Sequence, residues 1–118
     1  YLAGDIFSIL SRFDTFGMVV LEAMAASLPV VISDSVGAKD LVRDGVNGFV
    51  VDGEAEAAEI SGKIGLLFNR ERRLQMGKHA HAAALACTWE AAAKRVEDIY
   101  ETLLSNRPDA LSPNLIGK

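Results

Sequence analysis

The sequence predicts an α/β fold: a parallel sheet of about three short strands flanked by helices, with further helices after it. Three observations point there. Short runs rich in β-branched and aromatic residues are apolar throughout rather than alternating, as in strands buried on both faces. Stretches rich in Ala, Met and Leu separate them, the arrangement of crossover helices in a parallel sheet. The 118 residues are half hydrophobic, enough for one modest core.

The elements follow in order. "DIFSIL" (residues 5–10) is a strand, and "SRFDT" a polar loop. "FGMVVLEAMAAS" (16–27) is a helix. "PVVIS" is a second strand, with Pro29 tolerated at its first position. "VGAKDLVRDG" (36–45) is a short helix closed by Gly45. "GVNG" then turns the chain into a third strand, "FVV". After Gly53 three helical stretches are expected. In residues 54–68, Ala57, Ile60, Ile64 and Leu67 form one stripe. Residues 70–86 are charged first and small later, and Gly77 is a point of interruption. In residues 88–104 Thr88 is the N-cap. Trp89, Ala93, Val96, Tyr100 and Leu103 recur there at helical spacing, with Trp89 and Tyr100 expected to anchor a core. Residues 105–118 hold two prolines and little periodicity, and are expected to be an extended or flexible tail.

Composition removes several classes. Twelve Lys and Arg against sixteen Asp and Glu give a charge of -4, unlike the basic surface of a nucleic-acid binder. An anionic ligand stays open, because a helix N-terminus holds phosphate without a lysine. Cys87 is alone, which fits a reducing compartment and gives no disulfide framework or thiolate cluster. Its expected state is an inert buried thiol. His79 and His81 are two residues apart and face different ways on a helix. Arg70, Arg72 and Arg73 read as a solvated face. No run of about 18 uncharged apolar residues is present. The chain opens on Tyr1 and runs almost at once into a strand, the pattern of a fragment whose earlier strands precede it. The open edge of such a truncated sheet is expected to self-associate with another copy.

One residue is out of place. Between Thr15 and Ser33, Glu22 is the only ionisable side chain. A helix apolar all round is a buried helix, and burying an unpaired carboxylate is costly. Glu22 therefore sits on an exposed face the pattern does not reveal, is protonated, pairs with a cation such as Lys39 or Arg43, or turns into a polar ligand cleft. Asp14 lies eight residues earlier, with Asp14 or Thr15 a candidate helix cap. On one helix the two acids would be about 12 Å apart, too far to share a metal ion. The separation suits the two ends of an extended, hydroxyl-rich ligand such as a sugar derivative. Gly17 between them either serves close packing or leaves first-turn amides uncovered, where a phosphate can sit.

Ser11, Asp14, Phe16, Gly17 and Glu22, followed by "LEAMAA", "PVV", a glycine-containing loop and "DGVNG", resemble a known pattern. It is the signature region of the nucleotide-sugar-dependent glycosyltransferases of family 4. The likeness covers about residues 1–51 and resumes less specifically at 88–104, which is similar to the closing helices of the same domain. It implies a GT-B fold of two Rossmann-like domains, with residues 1–104 a partial, truncated donor-binding domain. It implies a retaining enzyme that moves a sugar from a nucleotide-diphosphate sugar to an acceptor hydroxyl, with neither cofactor nor metal. Asp14, Phe16, Gly17 and Met18 would hold the donor sugar, and Glu22 and Val19 the ribose and diphosphate. No catalytic residue is assigned. The partners implied are a nucleotide sugar and, through the missing N-terminal domain, an acceptor glycan, lipid or small molecule; no nucleic acid is expected. The location implied is cytoplasmic, with a peripheral place at the inner face of the membrane open to the full-length protein. The fragment alone is expected to be inactive.

Three positions depart from the family pattern. Asp14 stands where glutamate is usual, Ser27 where glycine is usual, and Gly37, Ala38, Lys39 and Asp40 where Gly-Gly-x-x-Glu is usual. Two other readings remain: another sugar-nucleotide enzyme such as an epimerase, and a non-catalytic α/β interaction module in which Glu22 lies in a closed salt bridge.

Overall fold

Three parallel strands, β1 (Phe7–Ile9), β2 (Val30–Ser33) and β3 (Gly48–Val51), pair in sequence order with β2 in the middle. The computed structural model describes residues 1–105 and divides them into two units, the second starting at Cys87. Every residue of β2 is buried. Side chains alternate across a strand, so Val30 and Ile32 enter one apolar cluster and Val31 the other. Cover on both faces is the reason this strand is apolar without interruption.

The first cluster is built on α1 (Met18–Ala25) and α3 (Arg70–Leu85). Val20, Ala23 and Met24 of α1 meet Ala80 and Ala84 of α3 against Val30 and Ile32. Alpha-helix α1 is thus not buried all round: Met18, Val19, Glu22 and Ala25 are exposed. The Ala- and Met-rich composition hid this outer face, because small and apolar residues occur on both sides of the helix.

The end of α1 is a Schellman turn. Leu28 N–H donates to the Ala23 carbonyl at 3.1 Å and Ser27 N–H to Met24 at 2.9 Å. That turn needs a left-handed residue, and Ser27 adopts φ 63°. Alpha-helix α3 passes unbroken through Gly77. The glycine is an approach point rather than an interruption: a Cβ there would overlap the Ser27 carbonyl oxygen. His81 Nδ1 donates to the Ala25 carbonyl at 2.7 Å, satisfying an acceptor that the helix end leaves open.

The second cluster joins Val31, Phe49 and Val51 to Leu67 and Met76, with α2 (Ala57–Leu66) contributing Ile60 and Ile64. Ala57 drops out of the expected stripe and is exposed. Arg73 also leaves the expected solvated face. It reaches Asp5 at 3.2 Å and donates to the Leu67 carbonyl at 3.0 Å. Between β2 and β3 the expected helix is a short 3-10 helix, Gly37–Leu41. The turn after it is closed by buried Asn47, which accepts from Arg43 N–H at 2.7 Å and donates to the Leu41 carbonyl at 3.0 Å.

The second unit carries α4 (Trp89–Ser105). Its start is capped as expected, Ala91 N–H donating to Thr88 Oγ1 at 3.1 Å. Trp89 is 84% exposed and Tyr100 62% exposed, so the expected core anchors are not core. A single helix forms from its cap and periodicity without having an interior of its own. Cys87 is half-buried. Ser105 closes α4 rather than opening the tail; the remainder of the expected tail lies outside the described residues. No described helix is long and apolar enough to cross a membrane.

Two substitutions test the α1–α3 joint. Ser27→Gly is expected to raise unfolding stability by about 1 kcal/mol, because a non-glycine residue in the left-handed region costs about that much. At an open helix site Gly→Ala gains about 1 kcal/mol; Gly77→Ala is expected instead to lose about 1–3 kcal/mol by overpacking. Urea titration of both variants reads the signs.

Candidate functional site

Parallel strands all end on one side, and the loops after them gather at that carboxyl edge, where ligands of open α/β sheets bind. Residues 10–17 follow β1, residues 34–36 follow β2, and Asp52 and Gly53 follow β3. The first two loops are joined by backbone. Asp14 N–H donates to the Ser35 carbonyl at 3.2 Å, and Gly37 N–H returns to the Asp14 carbonyl at 3.2 Å. Ala38 N–H donates to the Phe16 carbonyl at 2.6 Å. Below them buried Ser33 donates through Oγ to the Ser11 carbonyl at 2.6 Å. Asp34 links the β2 and β3 ends, its Oδ1 accepting from Gly53 N–H at 3.0 Å.

Gly37 makes this seam possible. A Cβ there would overlap the Thr15 carbonyl oxygen and the Phe16 Cα. The departure at Ala38 is accommodated, since its methyl is fully buried and its amide is spent on Phe16.

Asp14 lies in the loop, half-buried. Its Oδ1 accepts from Phe16 N–H at 3.1 Å, the local turn that Asp and Asn side chains favour. It therefore shapes its own loop and does not cap α1. Thr15 does not cap it either: the N-cap position is Gly17, left-handed at φ 78°, with no side-chain cap. First-turn amides have no acceptor within a helix, and no acid stands in the first turn of α1. The positive end of the helix is left to solvent. Phe16, Met18 and Val19 are exposed around it.

Glu22 is the fifth residue of α1 and is exposed. Neither Lys39 nor Arg43 pairs with it; its Oε2 accepts from the Tyr1 hydroxyl at 2.9 Å. That hydrogen bond, aided by slight desolvation and the carboxylate charge, holds the Tyr1 phenol above the usual tyrosine range. The closed ion pair of the interaction-module reading does not form. An open groove elsewhere, between the Gly45–Val46 turn, α2 and α3, is lined by Asn69, Arg72, Gln75 and His79. It includes none of the expected donor-site residues; of the pattern it takes in only Gly45 and Val46, whose turn precedes β3, at the opposite end of the sheet.

Two participants escaped sequence reasoning. Ser33 had one signal, a polar residue closing an otherwise apolar strand. Tyr1 had none, because its contact spans twenty-one residues.

Residues 1–83 match the family described as Glycosyl transferases group 1. A D-inositol 3-phosphate glycosyltransferase of Corynebacterium kroppenstedtii is 34% identical over 108 residues, covering 92% of this chain and 24% of that protein. A sucrose-phosphate synthase from Thermosynechococcus elongatus superposes with a TM-score of 0.72 at 26% identity, over 89% of this chain and 27% of that one. Anabaena HepE in complex with UDP-glucose superposes with a TM-score of 0.68 at 30% identity, over 88% and 28%. The chain thus spans about a quarter of the length of the relatives it matches.

The seam at Gly37 makes a direct prediction. Gly37→Ala is expected to destabilise by about 1–3 kcal/mol through overpacking. Amide hydrogen exchange should quicken at Asp14 and Ala38, whose N–H groups lie in the seam, while the β2–β3 ladder keeps its protection.

Proposed function

The chain belongs to the family of group 1 glycosyl transferases, and on that premise we propose that it is the later part of the donor-binding domain of a retaining GT-B glycosyltransferase of family 4. The full-length enzyme transfers a hexosyl or related sugar from a nucleotide-diphosphate sugar to an acceptor hydroxyl. The observation that carries the reading is one uncapped helix end with an acid on each side of it: Asp14 in the preceding loop and Glu22 farther along the helix.

Each part has a job in that chemistry. Transfer breaks the bond between the sugar's anomeric carbon and the diphosphate, and negative charge develops on the leaving oxygen. The amides of Gly17, Met18 and Val19 face that charge, and preorganised donors of this kind stabilise it without rearranging. Glu22 accepts hydrogen bonds from the ribose hydroxyls, which a carboxylate does well. Asp14 spends Oδ1 on its own loop and offers Oδ2 to hydroxyls of the transferred sugar, with Phe16 beside it. The complex of Anabaena HepE with UDP-glucose supports a nucleotide-diphosphate sugar as donor. The acceptor, a glycan, lipid or small molecule, meets the donor through an N-terminal domain.

The full-length gene product, assayed with UDP-, GDP- and ADP-sugars, is expected to give a product of retained anomeric configuration by NMR. Glu22→Ala should raise KM for the donor about tenfold, the size of one charge-assisted hydrogen bond. Asp14→Ala should change the preference among sugars more than the preference among bases. Hydrolysis or epimerisation of the donor with no transferred sugar would overturn the proposal. Calorimetry on this chain alone should find weak nucleotide binding, and submicromolar binding would defeat the partial-site reading.

A further inference from the structure

Tyr1 is not among the residues that carry the family resemblance, and yet its hydroxyl makes the one hydrogen bond of the Glu22 side chain among the described residues. We propose that Tyr1 is a positioning residue of the nucleotide subsite, its hydroxyl fixing the Glu22 carboxylate so that Oε1 faces the ribose. The inference rests on the assignment of Glu22 to ribose made above.

The geometry supports orientation over stability. Both groups are exposed, and a hydrogen bond in contact with water adds little to folding. Its effect falls on Glu22, a long side chain on an open helix face that loses rotamer freedom when a ligand orders it. Holding it beforehand removes part of that loss. Tyr1 is itself held at two points. Its carbonyl accepts from Gly4 N–H at 2.9 Å, closing a turn. Its ring packs on Phe7 of β1, with centroids 5.9 Å apart and planes tilted by 59°. The phenol is therefore braced against the sheet and presents its hydroxyl to α1. An ionised carboxylate only accepts, and has about four lone-pair positions for two oxygens. Tyr1 uses one of these on Oε2, which leaves Oε1 for a ribose hydroxyl.

The test uses the full-length gene product and the diphosphates UDP, GDP and ADP, each beside its 2′,3′-dideoxy form, in titration calorimetry. Tyr1→Phe keeps the ring and removes the hydroxyl. It should weaken the ribose form that binds by about fivefold, a modest part of one hydrogen bond, and leave the dideoxy form unchanged. In a Glu22→Ala background Tyr1→Phe should add nothing. Dideoxy binding also reports that the variant is folded. If Tyr1→Phe weakens both forms alike, or neither, while Glu22→Ala still removes the preference for ribose, the inference falls and the ribose assignment stands. If Glu22→Ala leaves that preference intact, the ribose assignment falls and the inference falls with it.

Discussion

The arrangement at the carboxyl edge depends on one close approach, the backbone of Gly37 against the backbone of Thr15 and Phe16. With no Cβ at 37, two loops from neighbouring strands exchange amide hydrogen bonds as if they were further rungs of the ladder. Without that exchange the Asp14 amide and the Asp14 and Phe16 carbonyls would need other partners. The left-handed Gly17 follows from the same seam, because Val36 crowds the place where a side chain would point. Loop, helix start and the open amides of α1 are consequences of a single contact.

The sheet was legible in the sequence because burial on both faces leaves a plain mark, an apolar run with no alternation. Val30, Val31 and Ile32 carry that mark. Helix α1 was legible as a helix and misleading as to its surroundings. Composition does not separate its packed face, Val20, Ala23 and Met24, from its outer face, Met18, Val19 and Ala25. The stripe of α4 misled in the opposite way: periodicity specifies which side chains share a face, and not that anything covers it. Gly77 looked like a breaker because propensity acts locally, whereas its reason is a carbonyl fifty residues earlier in the chain.

The acids show the same division. Their spacing and the glycine between them were visible as a pattern, and the structure adds how each is held. Asp14 is fixed by its own loop, one oxygen engaged locally and the backbone engaged on both sides. Glu22 is on a regular helix but free of it, restrained through a residue that precedes the sheet. Such a difference is set by tertiary contacts over twenty residues or more, which no local signal records.

The seam at Gly37 also bears on how this family of sequences can drift. Two loops joined by three backbone hydrogen bonds behave as one object, so a change in the length or conformation of either is felt by the other. Substitutions there are epistatic: one that would be harmless beside its accustomed partner is harmful beside another. Diversification of this edge should therefore proceed by paired changes, recorded in descendants as covariation between residues 14–16 and residues 35–38. The outer face of α1, where Glu22 stands clear of the seam, is freer to change one residue at a time.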